Sequence, residues 1–598
     1  MRHRADNSGI SAAGTEPGQR RLNGPQTTGR EYRNLSAADH AMTREDNVRV
    51  EMRDGAGLLA DVHRPDGDGR FPVLVAASPY PRQIQDLGAP MGFIEAGASD
   101  FFVPRGYVHL IANLRSTGGS DGTFGLFDTA EARDVHDMVE WAAAQPWSNG
   151  RIGMIGISYF AMTQLAAAVE RPEHLEAIFP VAVTPDLYEA TYHNGLLNST
   201  FVTPFLAAIG ITAARSDEFW RGEFIRAARR VLTTPRLHAR FAHMNGESSI
   251  GALHAMTRLS YEPEPWDELW EDAALRHQLR DDFWDERSVL GRLGDVDIPV
   301  YLGCDWENVP LHLLGTFGAW EALADNPNVR MGFLGSHGLT WPWESLHVEA
   351  LAWFDHWLKD ADTGIMEGDP IRYWLPGAEE WRTTPAWPPA EAEHLRMGLL
   401  ADGVLAASDA RDGERSYLCE GPGLNRSPHA RAPSLPDSLV WETPPLDADL
   451  DMVGYIELEL TATATAADTA WIATLQDVGA DGTAVDVTAG YLRASLRAVD
   501  EPSSRPGAPR LPCRESVAVA PGVPTEYRIP LVPNARRFEA GHRIRLVLCS
   551  DDQPTRMPAI MDFRHAPVGT TSVNTVHAGS TLLLAVLPAA DSTAIGSG

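Results

Sequence analysis

A strand, a helix and a second strand follow one another between residues 107 and 156, and no other feature limits the fold of this chain as tightly. Tyr107 to Ala112 (Tyr-Val-His-Leu-Ile-Ala) is a short apolar run closed by turn residues, the pattern of a strand buried on both faces. In Glu131 to Gln145, Val135, Met138, Val139 and Ala142 recur at helical spacing until Pro146 ends the pattern. Arg151 to Gly156 is again a short apolar strand. A strand-helix-strand unit at this pitch requires a parallel sheet. Phe71 to Ala77 supplies another buried strand ahead of it.

The sheet is interrupted and then resumes. From about Asp186 to Asp295 the texture becomes helical, charged and aromatic, with Phe219-Trp220, Trp266, Trp270 and Phe283-Trp284 and no convincing strand. Strand signals return at Ile298 to Gly303 and Val329 to Leu334, followed by a helix from Ser345 to Lys359. Beyond Thr384-Pro385-Ala386-Trp387-Pro388-Pro389 the helical patterns fade. Tyr455 to Thr463 alternates, and Trp471 to Asp477, Tyr491 to Leu496, Tyr527 to Leu531, Ile544 to Leu548 and Thr581 to Leu587 read as further strands separated by Gly, Pro and Asp turns. Many short strands of this kind make a sandwich or jelly roll. The expected division is a disordered extension over 1–45, an α/β core over 46–185 and 296–385, a helical cap over 186–295 inserted into that core, and a β-sandwich over 390–598.

Charge and composition exclude several kinds of function. The 598 residues carry 50 Lys plus Arg against 81 Asp plus Glu, and a net charge of -31 is the wrong sign for a surface that neutralises phosphates. Lys359 is the one lysine, so a Schiff base, a P-loop lysine or a Ser-Lys dyad would each have to use it. Its place near the end of a helix predicts instead a solvated side chain favoured by the helix dipole. Cys304, Cys419, Cys513 and Cys549 lie far apart and form no C-x-x-C pair, and His-Glu-x-x-His is absent. The polar opening segment has no apolar stretch of the kind a secretory signal needs, and there is no long apolar run elsewhere. A cytoplasmic protein without metal or cofactor is expected.

The residues with the clearest chemical signal are Gly153-Met154-Ile155-Gly156-Ile157-Ser158-Tyr159-Phe160-Ala161-Met162-Thr163-Gln164. A buried strand enters a glycine, one residue intervenes, and a serine precedes a run that can begin a helix. In a nucleophile elbow the hydroxyl sits on such a turn above the sheet, and the amide of the next residue, here Tyr159, points at the developing oxyanion. Phe160 stands where G-x-S-x-G has its second glycine.

Gly-Ile-Ser-Tyr-Phe-Ala-Met-Thr-Gln resembles the G-x-S-Y-x-G-x-x-Q block of the family that holds the bacterial cocaine esterases, α-amino-acid ester hydrolases, glutaryl-cephalosporin acylases and Xaa-Pro dipeptidyl-peptidases. Met52-Arg53-Asp54-Gly55 with Leu59 to Pro65 resembles that family's opening hairpin, and Pro72 to Pro79 with Tyr80 its P-Y strand. Arg115 to Gly122 resembles its R-G-x-G-x-S-x-G loop, and Asp134 to Trp141 with Pro146-Trp147 its D-x-x-D-x-x-x-W helix. Asp468-Thr469-Ala470-Trp471 and Gly541 to Leu546 resemble its jelly-roll strands. The resemblance covers nearly the whole chain after the first 45 residues. It implies an α/β-hydrolase fold with an inserted helical cap and a C-terminal jelly-roll domain, and a serine hydrolase that needs no cofactor. It also implies that Tyr80 and the Tyr159 amide hold the oxyanion.

The general base should follow the last long strand of the sheet. Leu334-Gly335-Ser336-His337-Gly338 fits and resembles the family's G-P-W-S-H-S loop, so His337 is the expected base, with His312 and His347 as rivals that helical spacing assigns to packing or solvation. The acid should lie just after a strand between serine and histidine. Cys304-Asp305-Trp306-Glu307 offers two carboxylates, and a reading anchored on Thr316-Phe317 favours Glu307 over Asp305. The substrate is then a small-molecule ester or amide, of acyl-ester, acyl-amide or Xaa-Pro dipeptidyl type. No nucleic acid or membrane partner is expected, and a homodimer stays open. The altered elbow and histidine loop motivate a second reading, a decayed hydrolase frame acting as a binding or scaffold protein.

Overall fold

The computed structural model describes residues 30–88, 93–237, 264–335, 346–407, 413–420, 435–552, 563–569 and 571–588. Ten strands form the larger N-terminal sheet: β1 (Met42–Glu51), β2 (Gly57–Pro65), β3 (Phe71–Ser78), β4 (Val108–Asn113), β5 (Ser148–Ile157), β6 (Leu175–Val181), β9 (Val300–Asp305), β10 (Val329–Leu334), β11 (Ile371–Leu375) and β12 (Glu380–Thr384). Their order is β1-β2-β4-β3-β5-β6-β9-β10-β11-β12. From β4 to β11 every neighbouring pair is parallel, and the outer pairs β1-β2, β2-β4 and β11-β12 are antiparallel.

The central strands are parallel because helices connect them, and those helices cover both faces. Gly153 and Gly156 of β5 are three residues apart and so face opposite ways. A Cβ at Gly153 would meet Phe354 of the helix His347–Lys359 at 2.7 Å, whereas one at Gly156 would meet Phe160 of the helix Tyr159–Glu170. The two helices thus lie on opposite faces of the sheet. The buried run Val73 to Ala77 and the whole of β4 are consistent with a sheet covered on both sides.

Several elements extend the sequence reading. β6 (Leu-Glu-Ala-Ile-Phe-Pro-Val) carries a charge and a proline within a short run, which masks its strand signal. β11 and β12 prolong the sheet up to the Pro-rich boundary. The described part of residues 186–295 is helical, with Ser199–Ala213 and Glu223–Leu232 its longest helices, and adds only the short hairpin β7 (Tyr192–His193) and β8 (Leu196–Leu197). Trp220, Trp266 and Trp284 are buried there.

The end of the expected N-terminal extension is structured. β1 begins at Met42, Arg33 pairs with Asp362 at 2.7 Å, and the Ser36 amide and hydroxyl each donate to Asp355 at 2.7 Å. Polar composition suggested disorder, but these polar groups have buried or charged partners far along the chain. Lys359 is likewise a correction. Its ammonium donates to the Arg105 carbonyl at 2.7 Å and the Ser36 hydroxyl at 2.8 Å and lies 3.7 Å from the Tyr107 ring centre, half-buried rather than solvated, and burial lowers its pKa.

The C-terminal third is an antiparallel eleven-stranded sheet around a separate apolar core that includes Trp441, Trp471 and Tyr527. Its longest strand, Leu450–Ala464, pairs with Thr525–Phe538 and with Thr581–Val586. The strand read at Tyr491 to Leu496 runs instead over Ala484–Arg493, and a short 3-10 turn takes Ala494–Leu496. Among the described residues no helix is long and apolar enough to cross a membrane.

Candidate active site

β5 ends at Ile157, and the helix Tyr159–Glu170 begins at once, leaving Ser158 alone at the turn. Ser158 adopts φ 56° and ψ -118°, a backbone region that non-glycine residues avoid and that costs about 1–3 kcal/mol. The turn is held from both sides. The Ser158 amide donates to the Val181 carbonyl at 3.0 Å, and the Ser158 carbonyl accepts from the Ala161 and Met162 amides at 2.8 and 2.9 Å. Ser158 is partly exposed in a run that is otherwise buried from Ile152 to Val169.

Phe160, in place of the usual second glycine, is fully buried and packs edge-on at 6.0 Å from the Tyr80 ring. The close approach it demands falls on Gly156, which has φ +141° and where a Cβ would lie 2.3 Å from the Phe160 Cβ and 3.3 Å from the Glu95 carbonyl oxygen. One glycine therefore remains obligatory at the elbow although the other has been replaced.

Among the described residues, two side chains meet the Ser158 hydroxyl. Tyr80, just beyond β3, has its phenol near enough to interact with it, and burial beside Glu95 pushes the Tyr80 pKa upward, so the phenol keeps its proton. The second is His312, whose Nε2 is 3.1 Å from Oγ. His312 caps the helix Leu313–Ala322, is 3 % exposed, and has Nδ1 at 2.8 Å from the Thr184 hydroxyl. Burial alone pushes its pKa down to about 3. Helical spacing had assigned His312 to packing or solvation; the structure brings it to the serine instead, because the helix starts one residue later and leaves the imidazole at its open end.

Tyr159 is the first residue of its helix, so its amide has no intrahelical acceptor and faces the same turn. Its hydroxyl donates to Glu131 Oε2 at 2.9 Å, and its ring lies among Phe124, Phe127 and Phe205. His347, the other rival, stacks at 5.0 Å on Phe101 and is buried away from the site.

β9 and β10 pair in parallel so that Asp305 lies beside Leu334. Asp305 is 3 % exposed, and strand alternation puts it on the face of Gly303, whose missing side chain would touch Leu346 at 3.2 Å. Glu307, two residues on, is exposed. His337 lies outside the described residues; the chain leaves β10 at Leu334, three residues before it. Among the described residues no group of three or more His, Cys, Asp or Glu is placed to hold a metal ion.

Residues 54–344 match the model of the X-Pro dipeptidyl-peptidase (S15) family, and residues 363–584 match that of the X-Pro dipeptidyl-peptidase C-terminal non-catalytic domain. The chain belongs to this family. It is 26% identical to the cocaine esterase of a Rhodococcus species over 89% of this chain and 96% of that one. A CocE/NonD family hydrolase from Staphylococcus aureus superposes with a TM-score of 0.71 at 22% identity, covering 92% of this chain and 94% of that chain. An α-amino acid ester hydrolase superposes with a TM-score of 0.66 at 17% identity, covering 94% and 99%. The fold is therefore that of the α/β hydrolases with a C-terminal β domain, and the protein is a hydrolase of the serine esterase and dipeptidyl-peptidase class.

Proposed function

We propose that the protein cleaves an ester or amide through an acyl-enzyme on Ser158. The observation that carries this reading is the strained strand-to-helix turn that presents Ser158 to the Tyr80 phenol and the Tyr159 amide. Ser158 Oγ attacks the substrate carbonyl while His337 takes its proton. Tyr80 and the Tyr159 amide donate to the oxyanion of the tetrahedral intermediate, and His337 returns the proton to the departing alcohol or amine. Water then repeats the sequence on the acyl-enzyme. The position of Leu334 beside Asp305 supports His337 as base, since a loop leaving β10 starts next to the turn that bears both candidate acids.

Glu307 is the acid that the sequence favours. The burial of Asp305 supports a second reading, because a carboxylate shielded from water stabilises the imidazolium more strongly. Residues 186–295 act as a cap in this account. Phe205 stacks on Tyr159 and Trp266 lies 4.9 Å from Phe124, so the acyl group would enter beneath aromatic side chains.

The test is a panel of short-chain aryl esters, acyl-amides and Xaa-Pro anilides. Turnover of at least one class, with a covalent adduct on Ser158, is expected; turnover of none by folded protein would favour the scaffold reading.

A further inference from the structure

His312 makes a contact with Ser158 that the proposed triad does not use. We propose that His312 is a positioning residue for the nucleophile, held by Thr184 so that its Nε2 fixes the Ser158 hydroxyl in place while His337 carries the proton. This rests on the reading of Ser158 as nucleophile.

The hydrogen-bond directions follow from the partners. The Thr184 hydroxyl has the Leu311 carbonyl at 3.3 Å, an acceptor only, so it donates there and accepts from His312 Nδ1–H at 2.8 Å. His312 Nε2 is then the bare nitrogen and accepts from Ser158 Oγ–H at 3.1 Å. Tyr80 keeps its proton and lies beside the same hydroxyl. In this chain, which runs from Ser158 through His312 and Thr184 to the Leu311 carbonyl, every donor meets an acceptor.

The imidazole itself is fixed by its backbone. The His312 amide donates to Asn308 Oδ1 and to the Asn308 carbonyl, each at 3.2 Å, and the His312 carbonyl accepts from the Thr316 hydroxyl at 2.9 Å. Ser158 Oγ is thereby located by an imidazole whose own position is fixed.

His312 is poorly suited to be the base. Its second nitrogen faces a hydroxyl rather than a carboxylate, and burial holds it neutral far below neutral pH. An imidazolium formed there would lack the stabilisation that a triad acid supplies.

The experiment compares His312→Ala, His312→Gln, Thr184→Val and His337→Gln in the full chain, after thermal melts confirm folding. The readouts are kcat, KM and the pH profile on an aryl ester, and the rate of fluorophosphonate labelling at Ser158. A misplaced nucleophile costs about 10²-fold. His312→Ala should lower kcat and the labelling rate by that order with KM and the ascending pH limb unchanged. His312→Gln, whose amide can reach the Nε2 position, should recover part of the loss. Thr184→Val should fall between wild type and His312→Ala, and His337→Gln should abolish turnover. Should His312→Ala misfold, the Gln and Val variants carry the test. Labelling and turnover of the His312 variants within twofold of wild type would overturn the positioning role. So would loss of all activity in His312→Gln with activity kept in His337→Gln, which would make His312 the base. Wild-type protein that is folded yet unlabelled at Ser158 would instead remove the hydrolase reading itself.

Discussion

The Tyr159 hydroxyl donates to Glu131 Oε2 at 2.9 Å, and the Phe127 amide donates to the same oxygen at 3.0 Å. This ties Tyr159, whose amide is the proposed oxyanion donor, to the first turn of the helix Thr129–Ala143. The other oxygen, Oε1, is buried with no hydrogen-bond partner.

Burial, reinforced by Asp128, pushes the Glu131 pKa from 4.5 to about 8. The folded protein therefore holds a proton that the unfolded chain releases between these values, and stability should fall as pH rises through that window. Glu131→Gln keeps the acceptor for Tyr159 and removes the titration, so urea melts across the window should show a flatter pH dependence. Glu131→Ala leaves the buried phenol unpaired and should cost about 1–3 kcal/mol. An unchanged pH slope in the Gln variant would place the titration elsewhere.

Gly156→Ala should destabilise the elbow. The new methyl would stand 2.3 Å from the Phe160 Cβ at a φ of +141°, and overpacking of this kind costs about 1–3 kcal/mol or more. Combined with Phe160→Gly, which removes the Cβ that the new methyl would meet, a double-mutant cycle should show favourable coupling between the two sites. Strict additivity would mean that the clash relaxes by another route.

Tyr80→Phe removes one of the two proposed oxyanion donors and should lower kcat by about 10²–10³ with little change in KM. The ring packs against Phe93 and Phe160 in either residue, so the thermal melt should barely move. Near-normal kcat would leave the oxyanion to backbone amides alone.

The acid is decided by Glu307→Gln against Asp305→Asn in kcat/KM assays. The sequence predicts a loss of orders of magnitude for the first and a small effect for the second. The reverse result assigns the acid to the buried Asp305, and two mild results would place the partner of His337 outside this turn.

The framework was legible where hydrophobic periodicity was clean: β3, β5 and β10 and the helix Thr129–Ala143 follow the expected segments within a few residues. β6 was not, since Glu176 and Pro180 interrupt its apolar run. Ser158 could be read because an elbow is local, a strand, a turn and a helix in a few residues. His312 could not. Its contact with Ser158 spans 154 residues and depends on where one helix begins, a boundary that periodicity fixes poorly. Lys359 was misjudged for a related reason, as the carbonyl and ring that shelter it come from residues 105 and 107.

The central claim is that Ser158 is the nucleophile, and active-site labelling followed by peptide mass mapping tests it most directly. Folded wild-type protein treated with a fluorophosphonate should gain one adduct, on the peptide that contains Ser158, in step with the loss of hydrolysis. Ser158→Ala should melt at a similar temperature, take up no label and lose turnover by several orders of magnitude. A Ser158→Ala variant that still hydrolyses the substrate at most of the wild-type rate, or a label that maps to another residue, would contradict the account.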